Sequence, residues 1–217
     1  MSKKDIQTEV PSVTKTRRER ERSARRQEIL RIARAVFSEK SFYQATLEEI
    51  AERAEFAKGT IYGYFSSKED LFECLITEEL DLMENEIRKA LQEGKDPIDK
   101  LRAIISFMFR YFTERNEFIR IYLSHIGRLV GQQTASFQVT FTKRHKRMID
   151  YITEFLHQSQ KEGYFTRVRG TAGAYELQGI IHAAVLAWLM SGQSYDLNDT
   201  VEPLLDLIVH GAGVPAK

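Results

Sequence analysis

The sequence predicts an all-α protein of about nine helices, arranged as an N-terminal three-helix unit and a larger C-terminal helical bundle. Three observations carry this expectation. Apolar residues recur at spacings of three and four along most of the chain and seldom alternate, which is the period of a helix and not of a strand. Only four of the 217 residues are proline, so little interrupts that pattern. Some of the interruptions carry cap signals, a Ser or Thr followed three residues later by an acidic residue.

In chain order, residues 1–21 are polar, contain Pro11 and show no periodicity, so they are expected to form a disordered basic arm. A first helix is predicted from about Arg22, where Ile29, Ile32, Ala33, Val36 and Phe37 recur, to about Lys40 and Ser41. Thr46 opens a second helix with Glu49 at the capping-box position, and Leu47, Ile50, Ala51 and Ala54 form its apolar stripe. Glu55 and Phe56 make a turn, after which a third helix begins at Ala57. Ser67 with Asp70 opens a fourth helix from about Lys68 to Gln92. The domains expected are therefore 22–68 and 69–217.

Gly94 and Pro97 break the chain before an amphipathic helix carrying Ile98, Leu101, Ile104, Ile105, Met108, Phe109 and Phe112. Another helix carries Phe118, Ile121, Tyr122, His125, Ile126 and Leu129. A long one spans about Ala135 to Lys161 and stops at Gly163. Thr171 to Met190 is apolar almost all round. A last helix, about Leu197 to His210, carries Val201, Leu204, Leu205, Ile208 and Val209. No repeat of 20–50 residues is evident.

Composition narrows the function. A hydrophobic content of 42% is enough for a core, while 29% charged residues and a mean hydropathy of −0.38 suit a soluble chain. No stretch approaches ~18 consecutive apolar residues, so no membrane span is expected. The opening MSKKDIQTEV lacks the apolar core of a secretory signal. The single Cys74 cannot form an internal disulfide, and a reducing cytoplasm is the simplest compartment. Net charge is +1, yet KTRRERERSARR, residues 15–26, holds seven basic and two acidic residues. A basic arm on a near-neutral chain suggests an anionic partner touched at one end. A solvated tail fits the arm equally well.

The segment Ala57–Leu71, AKGTIYGYFSSKEDL, poses the functional question. It reads as a helix, yet Gly59 and Gly63 stand four residues apart, and each glycine inside a helix costs roughly 1 kcal/mol relative to alanine. On a helical wheel Ala57, Ile61 and Phe65 share the side that packs on the preceding helices. The other side presents Lys58 with Tyr62, Gly59 with Gly63, and Thr60 with Tyr64. A strip without side chains, flanked by a cation, a hydroxyl and two phenols, suits close approach of backbone to another molecule. Two short helices joined by a tight turn, the second exposing such a face, form a helix-turn-helix, whose second helix enters the DNA major groove. Lys58, Gly59 and Thr60 would meet base edges. Tyr62, Tyr64 and Lys68 would meet phosphates, with Thr46 offering its hydroxyl to another. Arg17, Arg18, Arg20 and Arg22 of the arm could enter a minor groove. Structural alternatives stand beside these roles. Tyr62 and Tyr64 could be half-buried aromatics, Lys68 a helix-start lysine, and Gly63 a clearance for a neighbour within the protein.

Residues 29–72, ILRIARAVFSEKSFYQATLEEIAERAEFAKGTIYGYFSSKEDLF, resemble the DNA-binding domain of the tetracycline-repressor (TetR) family, most tellingly in TLEEIAERA, KGTIYGYF and SKEDLF. Two positions depart from the family's pattern: Glu55, and a residue near Ser41, stand where glycine is usual, which is expected to strain the turns or shift helix angles. The resemblance implies a homodimeric transcriptional regulator, most simply a repressor that binds palindromic double-stranded DNA and is released by a small-molecule effector. It further implies that the last two helices pair with those of a second copy.

On that last point the residues leave two readings. Gly179, Ala183 and Ala187 form a small-residue row that permits close helix crossing. With Trp188, Leu204, Leu205 and Ile208 they make either a dimer interface or the contacts of a central core helix. Aromatic residues are dense from 107 to 155. Phe107, Tyr111, Tyr122, His125, Phe141 and Tyr151 could wall an effector pocket for an apolar or aromatic molecule, and they describe a packed core equally well.

Enzyme readings find little support. Neither G-x-x-x-x-G-K-[ST], G-x-G-x-x-G nor H-E-x-x-H occurs, one cysteine excludes a thiolate zinc site, and the five histidines are scattered. No metal and no cofactor are expected. A helical interaction module without DNA binding is disfavoured by the basic arm and the tyrosine–glycine face.

Overall fold

A computed structural model describes residues 16–119, 121 and 135–210, with the backbone alone at 135–140. Among these residues the chain is helical and contains no strand. The first helix, α1, is Arg17–Gln44. It starts earlier than the sequence suggested because Thr16 and Glu19 form a full capping box and Arg17 pairs with Glu21 at 2.8 Å. Residues 17–21 of the expected disordered arm are thus helix, and residues 1–15 lie outside the described residues. Ser41, at φ 68° and ψ 162°, kinks α1 before its final turn.

The short helices α2 (Leu47–Arg53) and α3 (Lys58–Tyr62) follow. Their turn is a Schellman motif: the Phe56 N–H donates to the Ala51 carbonyl at 2.9 Å, and the Glu55 N–H to that of Glu52 at 3.1 Å. Glu55 occupies the left-handed position at φ 56°. Both non-glycine departures in the turns therefore sit where only glycine is free of a Cβ penalty. Helix α3 is shorter than the sequence suggested. Gly63 is its C-cap and not an interior residue, so only Gly59 carries the interior cost. Ile61 and Phe65 are buried while Ala57, the N-cap, is exposed.

Helix α4 (Lys68–Glu93) is capped by Ser67, which accepts from the Asp70 N–H at 3.1 Å. It packs on α1 at one end and on α5 (Pro97–Glu114) and α6 (Ala135–Lys161) along the rest. The α4–α5 corner is tight: a Cβ on Gly94 would lie 2.9 Å from the Lys100 backbone nitrogen. Asp96 then caps α5 through the N–H groups of Ile98 and Asp99. Helical backbone resumes at 116–119. Helix α6 packs against α7 (Gly170–Met190), and α5 against α8 (Val201–His210), which a 3₁₀ turn, Leu197–Thr200, precedes. One continuous apolar cluster runs from Ile29 of α1 to Leu205 of α8.

Where α1, α4 and α5 meet, the core holds a carboxylate. Glu79 of α4 is 2% exposed. It accepts from Arg34 of α1, from the Tyr111 hydroxyl of α5, and from Arg115 at the end of α5 at 3.0 and 3.1 Å. Burial, then the adjacent carboxylate, pushes the Tyr111 phenol far up, so it stays a donor.

Candidate nucleic-acid interface and effector pocket

Helix α3 stands as a ridge whose outer side is nearly bare. A Cβ built on Gly59 meets no atom within 4 Å. Lys58, Gly59, Tyr62 and Gly63 are exposed, with Tyr62 at 48%. Thr60 and Tyr64 are half-buried, and the Arg22 guanidinium lies 5.6 Å above the Tyr64 ring. Lys58 pairs with Glu48 of α2, which raises the lysine's pKa and lowers the glutamate's. Its ammonium also lies 5.9 Å from the Tyr62 ring centroid.

The ridge has a depression on each side. On the α2 side a hollow of about 350 Å³ is lined by Thr46, Glu48, Tyr62, Ser66, Ser67 and Lys68 among others. Thr46, Tyr62 and Lys68, predicted separately, thus share one recess. On the α1 side a hollow of about 470 Å³ is lined by Arg18, Glu21, Arg22, Arg25, Gly59, Thr60, Gly63 and Tyr64.

Two expected phosphate ligands have other work. The Lys68 ammonium donates to the carbonyls of Phe42 at 2.8 Å and Ala45 at 3.0 Å and lies over the Phe42 ring. It ties the end of α1 to the start of α4 and is not a free cation. Thr46 caps α2 by accepting from the Glu49 N–H at 3.2 Å, leaving its own O–H to donate outward. The Glu49 carboxylate does not close the capping box. It pairs with Lys40 at 2.8 Å and Arg53 at 3.0 Å.

Of the six residues suggested for an effector pocket, the four described ones, Phe107, Tyr111, Phe141 and Tyr151, make separate contacts. Phe107 packs on Tyr111, whose hydroxyl belongs to the Glu79 cluster. Phe141 stacks on His145 at 5.7 Å, and Tyr151 lies under Arg88. Tyr122 and His125 lie outside the described residues. The cavity inside the bundle is lined instead by Ile87, Ile104, Met108, Met148, Ile152, Leu177, Gln178 and Ile181. It holds only about 20 Å³, room for about one water. A separate groove of about 290 Å³ is lined by Leu91, Lys100, Tyr151, Glu154, Phe155 and Glu162 among others. One signal could have found the cavity in sequence: Gln178, with His182 a turn on, is polar beside the apolar row Leu177, Ile181 and Val185. The Gln178 side-chain amide lies against His145 Nε2, its nitrogen at 2.7 Å and its oxygen at 3.1 Å. Burial lowers the His145 pKa, and burial followed by the charge of His145 brings His182 down to about 4.

Helix α7 is two-faced. Gly173, Ala174, Leu177, Ile181, Val185 and Trp188 point inward. The small row Gly179, Ala183 and Ala187 faces outward, among exposed Tyr175, Ile180, Leu186 and Met190, the last 80% exposed. Two residues expected at a subunit interface belong to the chain's own core. Trp188 is 5% exposed and donates its indole N–H to the Tyr195 carbonyl at 2.9 Å, and Leu205 is 3% exposed. Helical spacing explains the split, since 181, 185 and 188 fall on the inner side. Leu204 and Ile208 are half-buried, and Leu207 of α8 is exposed.

Comparison with known proteins agrees with this architecture. The profile described as bacterial regulatory proteins, tetR family, matches residues 29–75, and that of the YsiA-like protein C-terminal region matches 76–211. The transcriptional repressor KstR2 of Mycobacterium tuberculosis is 27% identical over 143 residues, 66% of this chain and 70% of its own. The fatty acid metabolism regulator protein of Bacillus subtilis is 26% identical over 186 residues, 85% of this chain and 93% of its own. The crystal structure of Bacillus subtilis FadR in complex with stearoyl-CoA superposes with a TM-score of 0.75 at 23% identity, covering 86% and 99% of the two chains. The chain belongs to the tetR family of bacterial regulatory proteins, DNA-binding and ligand-responsive regulators of transcription that are not enzymes.

Proposed function

We propose that this regulator is a cytoplasmic homodimeric repressor of a two-fold symmetric operator, released by an amphipathic acyl thioester held between α4, α5, α6 and α7. The observation that carries the DNA reading is the bare strip of Gly59 and Gly63, which lines the hollow on the α1 side of the ridge. Residues 22–68, with the added turns from Arg17, form the DNA-binding head, and 69–217 the effector-binding and dimerisation domain. Lys58 and Thr60 address base edges, Gly59 lets the DNA come close to the helix backbone, and Thr46, Tyr62 and Tyr64 address phosphates. The outer face of α7 meets its copy in a second subunit through Gly179, Ala183 and Ala187, with Leu204 and Ile208 at the margin.

The effector reading rests on the chemistry of the bundle. The cavity wall is aliphatic apart from Gln178, and two of its members are methionines, whose flexible thioethers can move aside for an entering chain. Lys100 in the separate groove and Arg88 over Tyr151 supply cations for a phosphorylated head group. The stearoyl-CoA bound by Bacillus subtilis FadR is a molecule of this kind.

The test begins with selection of duplexes from a random-sequence library by the purified full chain. The expected product is an inverted repeat whose half-site centres lie about 34–36 Å apart or a multiple of that. Coenzyme A and its thioesters of increasing acyl length are then titrated against the selected duplex. Release is expected to strengthen with chain length until the slot is full. A library without enrichment overturns the DNA reading. Equal release by free coenzyme A overturns the apolar-slot reading.

A further inference from the structure

The hollow on the α1 side of the ridge is not accounted for by recognition-helix contacts alone. Arg18, Arg22 and Arg25 line it at spacings of four and three, one row on one face of α1. Of the other arginines on this helix, Arg20 does not line the hollow and four are paired with carboxylates. Arg17 pairs with Glu21, Arg26 with Glu78, Arg31 with Glu28 and Arg34 with Glu79. Among the described residues Arg18, Arg22 and Arg25 make no ion pair. The Arg22 guanidinium lies 5.6 Å from the centre of the Tyr64 ring. The one acid on the hollow's wall, Glu21, is neutralised by Arg17.

The opposite wall and floor complete a slot. Gly59 and Gly63 form a floor without side chains, and the Thr60 hydroxyl and the Tyr64 ring stand beside it. A major groove has a phosphodiester strand along each edge. With α3 in the groove, one edge falls at the Thr46 hollow and the other at this slot.

We propose that the first turns of α1 are a rigid clamp for the second of those strands, with Arg18, Arg22 and Arg25 on its phosphates and the two glycines forming the floor on which the strand rests. This rests on the DNA-binding reading above and adds a partner surface to it. The row spans seven residues, roughly 10 Å of helix at 1.5 Å per residue. Guanidinium forks suit phosphate oxygens, and a helix capped at Thr16 presents them already ordered. The clamp also supplies a reason for Gly59. Its Cβ would meet nothing in the protein, so the chain has no internal need for glycine there, while a strand lying in the slot does.

The test uses the full-length dimer and the duplex it selects from a random library. Binding is followed by fluorescence anisotropy from 0.05 to 0.4 M salt. The combined variant Arg18→Ala, Arg22→Ala, Arg25→Ala is expected to keep the selected sequence and its circular dichroism, alanine being the best helix former. The slope of log affinity against log salt should become shallower by about 2.7 per subunit, at about 0.9 per lost phosphate contact. The matching Arg→Lys triple should retain most of the slope. Gly59→Ala should melt no earlier than the wild type yet bind the duplex at least ten-fold more weakly. An alanine triple with an unchanged slope overturns the clamp. So does a triple whose selected sequence changes at flanking positions, because that marks base reading in a minor groove. Wild-type protein that selects no sequence overturns the DNA reading itself, so the two failures are distinguishable.

Discussion

In the N-terminal head the exposed working surface is built by leaving side chains out, whereas in the C-terminal bundle it is built by leaving large apolar ones uncovered. Gly59 and Gly63 on α3 present backbone, flanked by polar hydroxyls and cations. Tyr175, Ile180, Leu186 and Met190 on α7 present more hydrocarbon than an isolated chain keeps in water without a use for it. The interiors differ in the same sense. The joint that ties head to bundle is ionic, Glu79 holding Arg34, Arg115 and Tyr111. The cavity further along α4 and α5 is lined by isoleucines and methionines with almost no free volume. Directional bonds hold one geometry, while aliphatic contacts exchange one packing for another at small cost. A regulator needs both, a joint that does not slip and a core that a ligand can open.

The comparison breaks first at the outer face of α7. Ala183→Arg places a long cation at the centre of the apolar face, and an isologous contact meets it twice. At about 3–5 kcal/mol for each uncompensated buried charge, the dimer should dissociate at micromolar concentration. Sedimentation of the variant checks this, and a dimer of unchanged stability would move the interface off this face.

The ionic joint comes next. Glu79→Ala leaves Arg34, 20% exposed, and Arg115, 39% exposed, without their carboxylate, and stability should fall by about 3 kcal/mol, the low end for breaking a buried pair. The aliphatic wall of the cavity should be more forgiving. Met148→Leu nearly conserves volume and should cost less than about 1.5 kcal/mol. Urea denaturation at one fixed protein concentration compares the two. Equal losses would end the distinction between a locked joint and an adaptable core.

Acid should act on the bundle through its histidines. His182 is held neutral, its pKa pushed down to about 4 by burial and then by His145. In the unfolded chain the imidazole titrates near its ordinary value of about 6.5. Between those two values the unfolded state binds the proton and the folded state does not, so stability falls as pH falls through the window. The wild type should lose up to about 1.4 kcal/mol per pH unit more than His182→Gln between pH 6.5 and 4.5. Parallel stability curves for the two proteins would remove this burial effect.

The smallest effect belongs to the head's two turns. Ser41 at φ 68° and Glu55 at φ 56° hold conformations that favour glycine. Ser41→Gly, whose ψ of 162° places it in a region nearly reserved for glycine, should stabilise the protein by about 1 kcal/mol. Glu55→Gly, in the milder left-handed helical region, should add less. A lower melting temperature for either variant would show that these side chains make compensating contacts.

Much of this molecule was determined locally. The periods of the long helices, the caps at Thr46, Ser67 and Asp96, and the stop at Gly163 depend on residues within a turn of one another. Helices α4, α6 and α7 accordingly run within a residue or two of the bounds their patterns suggest. The glycine-bearing face of α3 was legible for the same reason, since neighbours at i and i+4 define it. Tertiary contacts decided the rest. That Lys68 turns inward depends on the carbonyls of Phe42 and Ala45, which the chain brings back from more than twenty residues away. That Tyr111 serves a buried carboxylate and not a pocket depends on Glu79, thirty-two residues upstream. Which side of α7 is core and which is free was set by where α5 and α6 lie, because an apolar helix alone has no preferred inside. The slot beside α3 belongs to the same class: Arg18, Arg22 and Arg25 meet Gly59 and Gly63 only because α1 starts at Arg17 and folds past a helix some forty residues later.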